Sequence, residues 1–112
     1  LLGGRGADHL RGGRDDDTFA FFGIDEIAAK GATDHIVDFS RREDVIDVDF
    51  LSDSTFLFMG GRAFKGGGKA SISLQVKKGD TIVKIDADGD GKLDGRFFVD
   101  DVTGLSANDF IL

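Results

Sequence analysis

Residues 3–11 read GGRGADHLR and residues 12–20 read GGRDDDTFA. The two stretches align at an offset of nine. Gly3 and Gly4 match Gly12 and Gly13, Arg5 matches Arg14, Asp8 matches Asp17, and the apolar Leu10 matches Phe19. The shared pattern is G-G-x-G-x-D-x-U-x, complete in the first copy, with Asp15 in place of the fourth-position glycine in the second. Six residues of each unit suit a turn in which glycine takes up positive φ and aims backbone carbonyls inward. The other three suit a very short strand whose apolar residue faces a core. Each turn supplies part of an oxygen shell: carbonyls from Gly3, Gly4, Arg5, Gly6, Gly12, Arg14 and Asp15, and carboxylates from Asp8 and Asp17. Such turns must stack to surround an ion that takes 6–8 oxygens.

Composition points the same way. The chain has 112 residues, the size of one small domain, with 40% hydrophobic and 31% charged residues. Of the 21 acids, 19 are Asp and only Glu26 and Glu43 are Glu. Asp suits tight turns and holds a hard oxygen close to the backbone. A formal net charge of −7 argues against nucleic acid, which calls for a basic surface. No apolar run has the length of a membrane span. Without cysteine there are no disulfides, thiolate metal sites or thiol chemistry. The chain begins at Leu1, which reads as a piece of something longer, and no secretory leader is visible at its start.

Elsewhere the pattern predicts β structure throughout. Strands are expected at 18–22, 35–39, 45–48, 54–59, 70–77, 81–86 and 95–99, with a hairpin across Gly79 and Asp80. Alternation places Ile72, Leu74 and Val76 on one face. Three glycines at 66–68 suggest a mobile loop over 62–69. A short helical turn is expected in 105–110, with Ser106 as cap and Asp109 at the third position, and a weak one over 25–29. Nine of the 11 phenylalanines sit in or beside these strands and read as core. The lone histidines, His9 and His35, read as structural or exposed.

Residues 86–94 read DADGDGKLD. Asp86, Asp88, Asp90 and Gly91 fit the front half of an EF-hand loop, but position twelve is Phe97 and the flanks read as strands. The stretch is either a calcium loop completed by the Lys92 carbonyl and Asp94, or a polar hairpin turn. The last residues, Asp109, Phe110, Ile111 and Leu112, are either a final strand tucked into a sheet or a signal read by an exporter. No nucleophile–base pair or metal-plus-base arrangement is present, so an enzyme is not expected.

The tandem units are similar to the calcium-binding nonapeptide of RTX proteins. Together with HIVDF at 35–39, EDVIDV at 43–48, DADGDGKLDG at 86–95 and LSANDFIL at 105–112, they resemble the C-terminal domain of serralysin-type secreted metalloproteases, over nearly the whole chain. The resemblance implies an all-β fold. A short right-handed parallel β-roll, ending within residues 1–34, continues into a β-sandwich over 35–112 as one unit. It implies a calcium site joining a glycine turn to Glu26 and Asp34. It further implies type I export by an ABC apparatus that reads residues 109–112, an extracellular location, and an upstream catalytic or repeat domain. The family's protease residues are absent, so no catalytic residue carries over. A calcium-dependent carbohydrate-binding or adhesin module is the alternative.

Overall fold

A computed structural model describes residues 9–21, 23, 27, 34–52 and 55–112. The strands in chain order are β1 (His9–Leu10), β2 (Thr18–Ala20), β3 (Asp34–Ile36), β4 (Val45–Asp47), β5 (Leu57–Gly60), β6 (Ser71–Lys77), β7 (Asp80–Asp86), β8 (Gly95–Val99) and β9 (Phe110–Ile111). Among the described residues the only helical pieces are two 3-10 turns, Asp49–Leu51 and Ala107–Asp109. The expected turn at 25–29 lies largely outside the described residues.

The first four strands alternate between two sheets. β1 pairs with β3 and β2 with β4, both parallel. For β1 and β2 this follows from the nine-residue unit, whose strand is so short that the next turn reverses the chain after it crosses one layer. Each strand sends its apolar residue between the layers. Phe19, Ile36 and Ile46 have no exposed surface.

The later strands extend both layers. β8 lies parallel beside β3 and antiparallel to β7, giving a six-stranded sheet ordered β1-β3-β8-β7-β6-β5. β9 lies parallel beside β4, giving a three-stranded sheet ordered β2-β4-β9. The early and late strands therefore share both sheets. Between the sheets lies one core in which Phe21 stacks on Phe97 with ring centroids 4.5 Å apart. Phe58 and Phe110 meet at 5.8 Å and tie β5 of one sheet to β9 of the other.

Several local expectations change. The strands expected at 35–39 and 45–48 are shorter, Asp34–Ile36 and Val45–Asp47, and enter different sheets. Val76 shares a face with Ile72 and Leu74 but is 58% exposed, because the β6–β7 hairpin projects past the core. Phe50 is 59% exposed and lies outside the core. The glycine loop at 66–68 is not a free loop: the Gly68 amide donates to the Gly89 carbonyl at 2.9 Å, and Lys69 N–H closes on Gly66.

Candidate metal centre

Among the described residues, the β7–β8 connection holds the densest carboxylate group. One oxygen from each of Asp86, Asp88, Asp90 and Asp94 lies within 4.8 Å of the others. Asp86 ends β7 and is fully buried. Its two oxygens accept the amides of Gly89 at 2.9 Å and Gly91 at 2.8 Å. Asp94 accepts the Ala87 amide at 2.8 Å, Asp88 the Asp90 amide at 3.2 Å, and Asp90 the Lys92 amide at 2.9 Å. These bonds curl the loop so that the carboxylates converge. Burial pushes the Asp86 carboxyl above its ordinary value of 3.8; a hydrogen bond from Asp88 and the charge of Asp90 push the same way, against the two glycine amides.

The set fits a hard cation. Calcium–oxygen distances of about 2.3–2.6 Å put opposite ligands about 5 Å apart, which matches the observed span. All four donors are carboxylates, and each retains lone pairs beyond those its amide bonds use. Of the sequence-expected residues, Asp86, Asp88 and Asp90 come together, and Asp94 joins them. The connection is also a hairpin between antiparallel strands, and Phe97 is a buried residue of β8.

The turn between β1 and β2 is built differently, around backbone amides held by distant carboxylates. Gly13 has φ +85°, and Asp15 has φ +71°. Asp15 thus takes up the left-handed conformation that its position in the repeat requires, without the glycine. The Asp38 carboxylate receives the amides of Gly12 at 3.0 Å and Gly13 at 2.9 Å. Asp44 receives the Asp17 amide at 3.0 Å and the Ser40 amide at 2.8 Å. Asp17 Oδ2 is buried and has no hydrogen-bond partner among the described residues. A Cβ on Gly12 would sit 2.5 Å from that oxygen. A carboxylate oxygen removed from water without a donor is costly, and a bound cation would offset that cost.

Arg14 and Asp15 are exposed, as carbonyl donors at a turn surface can be. Asp34 opens β3, buried, in register with Phe97. Among the described residues, Asp15, Asp17 and Asp34 are not gathered into a carboxylate cluster of three. Gly3, Gly4, Arg5, Gly6, Asp8 and Glu26 lie outside the described residues. Asp38 and Asp44 were legible only as part of a family-like stretch, not as braces. The available signal was phase: Asp44 follows Asp17 by 27 residues, three periods of nine, and each stands immediately before a strand.

The chain's last residues form a docked strand. Ser106 and Asp109 make a reciprocal capping box, with the Ser106 amide 2.8 Å from Asp109 Oδ2. Asp109 and Phe110 are buried. Val48 N–H donates to the Ile111 carbonyl at 3.1 Å, and Leu112 packs on the core. His35 is half-buried, with Nδ1 2.9 Å from Asp100 Oδ1.

The peptidase M10 serralysin C-terminal family model matches residues 1–112. The chain belongs to that family. Its members are C-terminal parts of larger serralysin-type proteins. Two solution structures, the AlgE6R3 and AlgE6R2 subunits of the Azotobacter vinelandii mannuronan C5-epimerase, are similar to it. The first is 29% identical with a TM-score of 0.66, the second 27% identical with a TM-score of 0.65. Each comparison covers 99% of this family member; it spans 61% of the first neighbour and 68% of the second. No curated protein matches. Among the described residues, no helix is long and apolar enough to cross a membrane.

Proposed function

We propose that this chain is a non-catalytic calcium module of a larger secreted protein, and that calcium completes its fold after type I export. The observation that carries the reading is the convergence of Asp86, Asp88, Asp90 and Asp94 within 4.8 Å. The Gly12–Asp17 turn supplies a second site of the same chemistry. Residues 1–34 are the end of the roll, where Gly3, Gly4, Arg5, Gly6, Asp8 and Glu26 complete further coordination with Asp34. Residues 35–112 are the sandwich.

The physics is linkage. A cation that binds only the folded chain adds stability of RT ln(1 + [L]/Kd), about 2.7 kcal/mol at a hundredfold excess over Kd. Extracellular calcium modules bind at about 10⁻⁴–10⁻³ M, so the chain stays loose in the cytosol, suits a narrow exporter, and closes outside. Residues 109–112 are the segment the exporter reads.

Calorimetry with calcium chloride and circular dichroism with and without chelator test the metal half. Uptake of calcium together with a rise in Tm is expected; equal folding and heat stability in both conditions overturns it. Export of the parent protein lacking 109–112 tests the other half, and unchanged export overturns that.

The epimerase neighbours support a second reading, a calcium-dependent polysaccharide-binding module using the 87–94 loop. Retention of the domain on immobilised mannuronan only in calcium favours that reading.

A further inference from the structure

We propose that β4 couples calcium in the Gly12–Asp17 turn to the docking of residues 109–112, with Asp44 as the positioning group. The inference rests on the calcium reading of that turn. β4 is the middle strand of its sheet and borders both β2 and β9. On one side Thr18, Phe19 and Ala20 stand in register with Val45, Ile46 and Asp47. On the other, Ile46 and Asp47 stand in register with Phe110 and Ile111. Among the described residues β9 pairs with no other strand of that sheet.

The junction with the turn is at Asp17. Its amide donates to Asp44 Oδ1 at 3.0 Å, and its carbonyl accepts the Val45 amide at 3.0 Å. Asp44 also takes the Ser40 amide, so one carboxylate fixes both the metal turn and the bend that delivers β4. The conformer that holds the Asp17 carboxylate in place is therefore the conformer in which β4 is set and Phe110 is buried. An ion that binds that conformer alone shifts the population toward it. Without the ion, two- and three-residue strands hold few contacts of their own, and 109–112 leave the sheet. The antiparallel strands β6 and β7, each seven residues long, do not depend on this path.

Hydrogen exchange on the full chain tests this. In chelator, peptides covering 45–48 and 109–112 exchange fast while 71–86 stays slow. Adding calcium chloride protects 12–20, 45–48 and 109–112 at one common midpoint. Protection of 109–112 that is equal in chelator, or that has a separate midpoint, overturns the coupling. Calcium uptake by calorimetry without any change at 109–112 overturns the coupling and leaves the calcium reading standing; no uptake at all overturns both. Asp44→Ala leaves 109–112 fast in calcium. Because that variant can lose its fold, the reciprocal measurement uses Phe110→Leu. Coupling is symmetric, so its calcium midpoint rises about fivefold, and an unchanged midpoint overturns the proposal.

Discussion

The Gly12 amide donates to Asp38 Oδ1 at 3.0 Å, so an acid 26 residues downstream, just past β3, shapes the turn that leads into β2. The other oxygen of the same carboxylate takes the Gly13 amide. Asp38→Asn replaces one acceptor by a donor facing an amide. It is expected to cost about 1–2 kcal/mol, read by urea unfolding in saturating calcium. A loss within experimental error means that the turn is held by something else.

Gly89 carries two constraints. Its φ is +76°, and a Cβ there would lie 2.3 Å from the Gly68 carbonyl carbon and 2.4 Å from the Lys69 nitrogen. Gly67, with φ +65°, has open space around it. Gly67→Ala is expected to cost about 1 kcal/mol from backbone strain alone. Gly89→Ala should cost clearly more, about 2–4 kcal/mol, and should loosen the 86–94 loop. Thermal melts of the two variants side by side measure the difference.

Asp86 gives a pH dependence with a definite sign. Its carboxyl is raised in the folded chain, by burial first and then by Asp88 and Asp90. In the window between the unfolded and folded values the native state binds more protons than the unfolded state. Its contribution to stability without metal is therefore greatest at low pH and declines as pH rises from about 4 upward. Asp86→Asn removes that contribution. In chelator, the Tm of the variant minus that of the unaltered chain should grow as pH rises above about 4. A difference flat with pH contradicts the assignment. In calcium the order reverses at neutral pH, because the ion uses the ionised carboxylate.

The capping box at Ser106 and Asp109 predicts a modest, local cost. Asp109→Ala leaves the Ser106 amide without its acceptor and is expected to lower stability by about 1 kcal/mol. The Arg41 Nε is 3.9 Å from Asp109 Oδ2 and half exposed, so Arg41→Ala should change stability by less than about 0.5 kcal/mol. Equal losses in the two variants would show that the ion pair, not the cap, holds the segment. Denaturant titration of the pair separates them.

What could be read directly from the residues is what a few consecutive positions decide. The nine-residue period specified a very short strand of three residues per unit and turned Phe19 inward. The DADGDGKLD run brought its own carboxylates together, because a loop closed by its own amides needs no distant partner. The Ser106–Asp109 spacing announced its cap. All of these depend on local backbone geometry, which spacing encodes.

The remaining features came only with the tertiary structure. That β8 inserts beside β3, that β9 closes on β4, that Asp38 and Asp44 brace a turn 26 and 27 residues earlier, and that Gly68 closes on Gly89 are pairings between distant segments. Such pairings are selected by burying one shared core and by finding an acceptor for each amide that the core excludes from water. Those conditions belong to the folded chain as a whole, and no short window of sequence contains them.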